Sequence, residues 1–486
     1  MRGLLYRWHM RLAWIAGVGA LLWGLTGLSH PLMVWNSPRP AAFGPPVASF
    51  SLEGALPAGA VMGLHDIETA SLVGAVAAPE GHALWLLRET PLAPARYFDS
   101  RSGREIPGED RRRAEALARH FAGDRKSPVK DAAFLDAFTP DYPEVNRLLP
   151  VWRIRFDRPD GLVAYVDTGH RRLSALSNDI RRAMLWTFTN IHTLAFLPGP
   201  AEGVRVFLIL LMVGSLWAAA VLAFGLLVAK RGSRRGAVGW HRLLGHGAVI
   251  PALMFSSSGL FHLLHDVAGE PGDIPLSRQR IRAADVATVP PAPSDRLVSL
   301  IAVGHAGGAM WQMRAEAAAA PGPAAIGSSH DPHAHHAPQM QGMATGASAD
   351  LWIDAASGRV REDGVESLVR TIASQGGRPA DDIRAIERID AFTAEYGFIN
   401  KRLPVWRVTF AAPGAARLFV DPVEGLIAGR ADDFDLLEGR VFNLLHKWRW
   451  LDGIGTRNRD MIIMGFVALI LAVTLFGWRL RLRRRR

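Results

Sequence analysis

Trp8-His9 and Gly27-Leu28-Ser29-His30 return as Trp240-His241 and Gly259-Leu260-Phe261-His262, each 232 residues later. Further along, Asp136-Ala137-Phe138-Thr139 returns as Asp390-Ala391-Phe392-Thr393, now 254 residues on. Leu149-Pro150-Val151-Trp152-Arg153 returns at the same shift as Leu403-Pro404-Val405-Trp406-Arg407, and His192 is matched by His446. Self-similarity at a long period signals a repeated architectural unit, so the chain reads as an internal duplication. The two shifts differ by 22 residues, which places an insertion in the second copy between Trp311 and Leu351. That interval is rich in Ala, Gly and Pro, and it reads as an external loop without a packed core.

Hydropathy decides the class. Nearly uncharged runs occupy 14–28, 204–229, 243–264 and 461–478. Crossing a bilayer core of about 30 Å takes roughly 20 residues, which the first run reaches with its flank at 10–13. The expectation is a membrane protein: an α-helical bundle of four transmembrane helices carrying two exported α+β domains. The segments are helix 1 at 1–35, domain 1 at 36–200, helix 2 at 201–230, a loop at 231–239 and helix 3 at 240–265. Domain 2 follows at 266–455 with its insertion at about 318–346, then helix 4 at 456–480 and a basic tail at 481–486.

The net charge of +11 is mostly a topology label. Arg2, Arg7 and Arg11 precede the first run, and Lys230, Arg231, Arg234, Arg235 and Arg242 separate the second and third. Six arginines, Arg479, Arg481 and Arg483 to Arg486, close the chain. Removing these 14 from the 56 basic residues leaves 42 against 45 acidic ones, so nothing calls for a nucleic-acid partner. Short basic loops stay cytoplasmic, which predicts a bacterial inner membrane protein with both termini inside. The basic start looks like a signal peptide, but Ser29-His30-Pro31-Leu32 is a poor cleavage site and its counterpart at 240–265 is internal. A retained helix is therefore expected. The absence of cysteine excludes disulfides, iron–sulfur clusters and thiolate zinc sites.

Within each exported stretch, turn residues bound short strands. Helical patterns are predicted at 111–121 and 365–375, and β-hairpins at 151–167 and 405–421, with turns supplied by Pro159, Gly161, Pro413 and Gly414. Each hairpin leads into an amphipathic helix carrying His192 or His446.

This order of elements resembles the PepSY-associated transmembrane family of bacterial inner membranes. The resemblance is carried by Trp8-His9, Trp240-His241-Arg242-Leu243-Leu244-Gly245, the two Leu-Pro-Val-Trp-Arg segments, His192 and Leu445-His446-Lys447. It covers nearly the whole chain. Members include haem-containing reductases of ferric siderophores in the periplasm, so the resemblance implies PepSY-like exported domains, haem b (one or two) and that class of substrate.

The histidines give the chemistry. His9 and His30, like His241 and His262, are 21 residues apart. On a helix that is about 31 Å, and the two ends fall within roughly 60° of one face. One member of each pair thus lies near the cytoplasmic surface and the other near the periplasmic one. A boundary histidine is often only an amphipathic residue at headgroup level, yet ionisable groups near a membrane core are expensive and usually functional. Imidazole is a common haem ligand. The candidates are His9, His241 and His246 inside, and His30, His262, His192, His446 and His265 outside. His246 and His265 have no counterpart in the first copy, where Trp14 and Met33 stand. Pairing His9 with His241 and His30 with His262, or using His192 and His446 as partners, are both open. In the insertion, His330, His333, His335, His336, Met340 and Met343 form a set compatible with copper.

The expected function is electron transfer from a quinol or cytoplasmic donor, across the bilayer, to a periplasmic ferric siderophore or other metal complex: an oxidoreductase serving iron uptake. The alternative is a haem-free, membrane-anchored periplasmic module that binds metal or regulates a peptidase.

Overall fold

The computed structural model describes residues 2–197, 199–229, 236–268, 280–292, 294, 296–305, 307–316, 350–393, 395–411 and 416–483. The His/Met-rich set His330, His333, His335, His336, Met340 and Met343 lies outside the described residues. Among the described residues, four helices are long and apolar enough to cross a membrane: α1 (Arg2–Trp35), α5 (Glu202–Val228), α6 (Ala237–Ala268) and α9 (Thr456–Arg483). In hydrocarbon each backbone N–H and C=O must bond within its own segment, which a helix alone of the open structures achieves. α1 packs against α5 and α9, and α6 packs against the same two. Spans one and three therefore face each other across the bundle. Small residues set the approach: a Cβ on Gly17 would stand 2.5 Å from the Trp478 ring. That ring lies tilted 5.1 Å from Trp14 and donates from Nε1 to the Ala13 carbonyl at 2.8 Å.

The remaining chain gathers at one end of the bundle, beyond the last turns of α1 and α6. A six-stranded sheet has the order β12-β11-β10-β2-β3-β4, built from Leu351–Asp354, Gly308–Ala315, Leu297–His305, Leu72–Ala77, Ala83–Arg88 and Arg96–Asp99. Its centre is the antiparallel pairing of β10 with β2, Leu300 opposite Ala75, Ile301 opposite Gly74 and Ala302 opposite Val73. The stretches 36–200 and 266–455 are thus joined edge to edge, and they share one core in which Trp85 and Trp311, both fully buried, meet at 5.8 Å. A short helix α2 (Ala58–Leu64) and a two-stranded pair, β1 (Thr69–Ala70) with β9 (Ile281–Arg282), pack into the same core.

Two four-stranded antiparallel sheets follow the same plan. One is β5-β6-β7-β8 (Val129–Leu135, Val151–Phe156, Val163–Asp167, Arg172–Ser177). The other is β13-β14-β15-β16 (Ile383–Ile389, Val405–Phe410, Arg417–Asp421, Leu426–Ala431). Each packs on one amphipathic helix. α3 (Glu109–Ala122) buries Ala114, Leu117, Ala118 and Phe121, spaced three and four residues apart, and ends on left-handed Gly123. α7 (Gly364–Ser374) buries Leu368, Val369, Ile372 and Ala373. Register irregularities also fall at matching places, between Tyr165 and Val166 and between Phe419 and Val420.

Each sheet feeds a helix that descends to the bundle: α4 (Asp179–Thr187) and α8 (Asp433–Val441). Asn178 and Asp432 cap them by accepting main-chain N–H groups. The expected amphipathic helix carrying each histidine is in fact two pieces, because a π-helical turn follows, Phe188–His192 in one case and Phe442–His446 in the other. Such turns insert a residue into the helical ladder and re-aim the side chains after it.

Candidate functional site

One helical face of α1, spaced three and four residues apart, turns Ala20, Trp23, Gly24, Gly27 and His30 into a cavity. α6 turns Ala252, Phe255, Ser256, Gly259 and His262 into the same space, each 232 residues on. α5 and α9 close the sides with Arg205, Ile209 and Val213 and with Arg459, Ile463 and Val467, which are 254 apart. The π-helical turns supply His192 and His446, and the sheets form the roof. The cavity measures about 2620 Å³. A usual small-ligand pocket holds about 300–1,000 Å³, so there is room for more than one such ligand.

Four of the sequence candidates therefore converge. The charge on His30 acts on His192, and His192, His262 and His30 all act on His446, His192 most strongly. Phe188 stacks on His192 at 4.4 Å and lies 5.7 Å from His30; Phe442 stacks on His446 at 4.6 Å and lies 5.2 Å from His262. Burial, and then the neighbouring His30, push His192 down to about 4. Burial, and then His192 and Lys447, push His446 down to about 3. Both rings are neutral at physiological pH and keep a lone pair available to a metal.

Hydrogen bonds decide which nitrogen carries that lone pair. Thr26 Oγ1 lies 2.8 Å from His192 Nδ1 and donates its own proton to the Leu22 carbonyl at 2.7 Å. The hydroxyl then accepts the Nδ1 proton, leaving Nε2 free. Trp23 fixes the turn itself by donating to the His192 carbonyl at 3.0 Å. In the second half Ser258 stands where Thr26 does, but its hydroxyl and His446 Nδ1 are both buried without a hydrogen bond. His262 Nδ1 bonds Glu438 Oε1 at 2.8 Å, which likewise leaves Nε2 open. Such partners orient metal-ligating imidazoles. Thr26, Glu438, Phe188 and Phe442 were not singled out from sequence, because each matters only through a neighbour distant along the chain.

The other candidates are placed differently. His265 Nε2 bonds Asp435 at 3.0 Å, with its ring against Phe434, so it is already engaged. At the far end of the bundle, His9 and His241 are near enough for the charge on one to act on the other. His9 Nδ1 donates to the Ala219 carbonyl at 3.2 Å. His241 faces the Val473 carbonyl, the matching position on α9, with its Nδ1 buried and unbonded. Gly477 makes room for the His241 ring, since a Cβ there would come within 3.0 Å of it. His246 points to the exposed side of α6 and bonds the Arg242 carbonyl at 2.7 Å, apart from that pair. Four further histidines are half-buried and bonded: His65 to Gly103, His82 to Asp99, His120 to Gly44 and His170 to Asp167.

Among the described residues no group of three or more His, Asp or Glu side chains is arranged to hold a bare metal ion. A macrocycle that brings four of its own nitrogens needs one or two imidazoles rather than a cluster of three side chains. No family model matches the chain, and no curated protein sequence matches it.

Proposed function

We propose that the chain is an internally duplicated inner-membrane b-type haem protein with PepSY-like periplasmic domains, which passes electrons to a periplasmic ferric complex. The observation that carries this reading is the convergence of His30, His192, His262 and His446 on one large cavity, with the Nε2 atoms of His192 and His262 left free by bonds at Nδ1. The open face of Gly27, where a Cβ would meet nothing within 4 Å, adds the flat wall that a planar group requires. Haem iron, when bound, supplies a one-electron couple within a low-dielectric shell.

The chain's own residues do the rest. His192 and His446 would hold the haem from opposite halves, one imidazole from each. Thr26 and Glu438 hold their partners' tautomers. Apolar residues of the four helices keep water from the lower cavity, while the sheets leave a polar mouth for the acceptor. His9 and His241 supply a second ligand pair at the cytoplasmic end, facing a quinol or soluble donor. The interval of about 31 Å between the tiers is partly filled on the sheet side by Trp23 and by Phe255 stacked on Trp448 at 5.5 Å. A ferric siderophore that accepts one electron becomes ferrous, and oxygen-donor chelators hold that less charged ion more weakly. Iron is thereby released for uptake.

The test is optical. The protein purified in detergent is expected to show a b-type α-band in the dithionite-reduced minus oxidised spectrum. His192→Ala and His446→Ala abolish one component, and His9→Ala and His241→Ala the other. A colourless, well-folded protein would overturn the reading.

A further inference from the structure

Cations buried between the sheets are, as a rule, paired with carboxylates. Arg172 meets Asp167 at 3.0 Å and Glu424 at 2.5 Å, and Arg402 meets Glu424 at 3.0 Å. Three cations on the cavity wall are held by carbonyls instead: Arg171, which donates to the Val298 and Pro46 carbonyls, and the adjacent pair Lys401 and Arg181. Lys401 Nζ donates to the Ser174 carbonyl, and Arg181 Nη1 donates to the Leu176 carbonyl at 3.1 Å. Neither has a carboxylate partner among the described residues. Asp421 and Glu424 share this wall but are occupied: Glu424 by Arg172 and Arg402, Asp421 by the N–H groups of Val423 and Glu424.

The placement of this pair is built in. Ser174 and Leu176 are two residues apart on β8, the edge strand of its sheet. Their carbonyls bring both cations to one stretch of β8. Asn178 caps α4 by accepting the Arg181 N–H at 2.8 Å, which fixes that residue's backbone. Lys401 sits in a left-handed turn with φ +62°, beside Asn400, which accepts from Arg147 Nη1 at 2.8 Å. Burial, and then the adjacent Arg181, push Lys401 down to about 8. Two like charges held together with only carbonyls for company are costly unless an anion joins them. Arg181 precedes His192 by 11 residues, about 16 Å along the helix, so the pair lies on the sheet side of the histidine cluster.

We propose that Lys401 and Arg181 form an oxyanion site that holds a carboxylate-bearing metal chelate at the mouth of the histidine cavity. The acceptor role of that chelate rests on the haem reading; its binding does not. The same chemistry would be met by a propionate of the haem itself, so the experiment separates the two sources.

The probe is gallium(III) citrate, whose metal resembles ferric iron in charge but does not accept an electron under these conditions. Titration calorimetry on the full-length detergent-solubilised protein is expected to show binding that weakens with salt. Lys401→Met and Arg181→Gln each reduce the affinity about tenfold or more, Lys401→Arg restores most of it, and the haem spectrum is unchanged in all three. Absence of binding to the wild type, or wild-type binding by both variants, overturns the proposal. Loss of haem from either well-folded variant also overturns it, because the cations would then serve the cofactor. If Arg181→Gln does not fold, Lys401→Met decides alone. A haem-free wild type that still binds the gallium complex sinks the electron-transfer reading and leaves this site standing.

Discussion

Thr26 and His192 are 166 residues apart in sequence, yet their side chains meet at 2.8 Å, Oγ1 to Nδ1. The contact ties a span of the bundle to the turn that descends from the sheets. Removing it frees the imidazole to rotate and to change tautomer. Outer partners of this kind typically contribute 10–100-fold to the affinity of a ligated metal. Thr26→Val, nearly equal in volume, is expected to weaken haem retention by about that factor in a competition assay with an apo-globin. Ser258→Ala in the matching place is expected to leave it unchanged, since Ser258 makes no hydrogen bond.

Gly27 and Gly17 lie on the same helix but face different surroundings. A Cβ on Gly27 meets nothing within 4 Å, whereas one on Gly17 would strike the Trp478 ring at 2.5 Å. Gly27→Ala should therefore fold at least as well as the wild type, by up to about 1 kcal/mol. Gly27→Phe should fold too but exclude a planar ligand from the cavity, seen as a well-dispersed protein without the α-band. Gly17→Ala should lower the thermal unfolding midpoint through overpacking of about 1–3 kcal/mol.

Glu424 receives Arg172 at 2.5 Å and Arg402 at 3.0 Å, linking the two four-stranded sheets. Glu424→Gln leaves two buried guanidinium groups short of a counter-charge. The expected loss is about 3–5 kcal/mol, the usual consequence of removing one member of a buried ion pair. Thermal inactivation in detergent measures it, and a change within error of the wild type would show that water reaches the network.

Protonation of the cavity histidines destabilises the fold in acid. Both are held well below the ordinary 6.5, at about 4 for His192 and about 3 for His446, chiefly by burial. Above about pH 6.5 neither state is protonated at these sites, and their contribution is fully present. As the pH falls below that value the unfolded chain takes up protons that the folded chain refuses, so stability declines down to about pH 3. Unfolding midpoints of haem-free protein between about pH 7 and pH 4 should show this slope, reduced in the His192→Ala, His446→Ala double variant.

Gly74 lies at the seam of the six-stranded sheet, where a Cβ would stand 3.0 Å from the Leu300 carbonyl. Gly74→Val is expected to push β2 from β10 and expose both edges. Edges freed in this way pair with other chains, so aggregation on size-exclusion chromatography is the readout, against a monodisperse wild type.

Hydropathy and repetition in the sequence determined the four long apolar helices, the strand and helix patterns around them, and the short set of histidines worth following. These features are local: run length, two- and four-residue periodicity, and residue identity at a fixed shift suffice to read them. Only the tertiary structure decided what the histidines do together. The diagonal placement of α1 and α6 turns Gly27, His30, Gly259 and His262 toward one space, and a π-helical turn aims His192 and His446 into it. Thr26 finds His192, Glu438 finds His262, and Lys401 comes beside Arg181 through β8. The pairing of β2 with β10 makes one sheet from stretches that read separately in the chain. Such contacts depend on how distant segments pack and register, which no local pattern encodes.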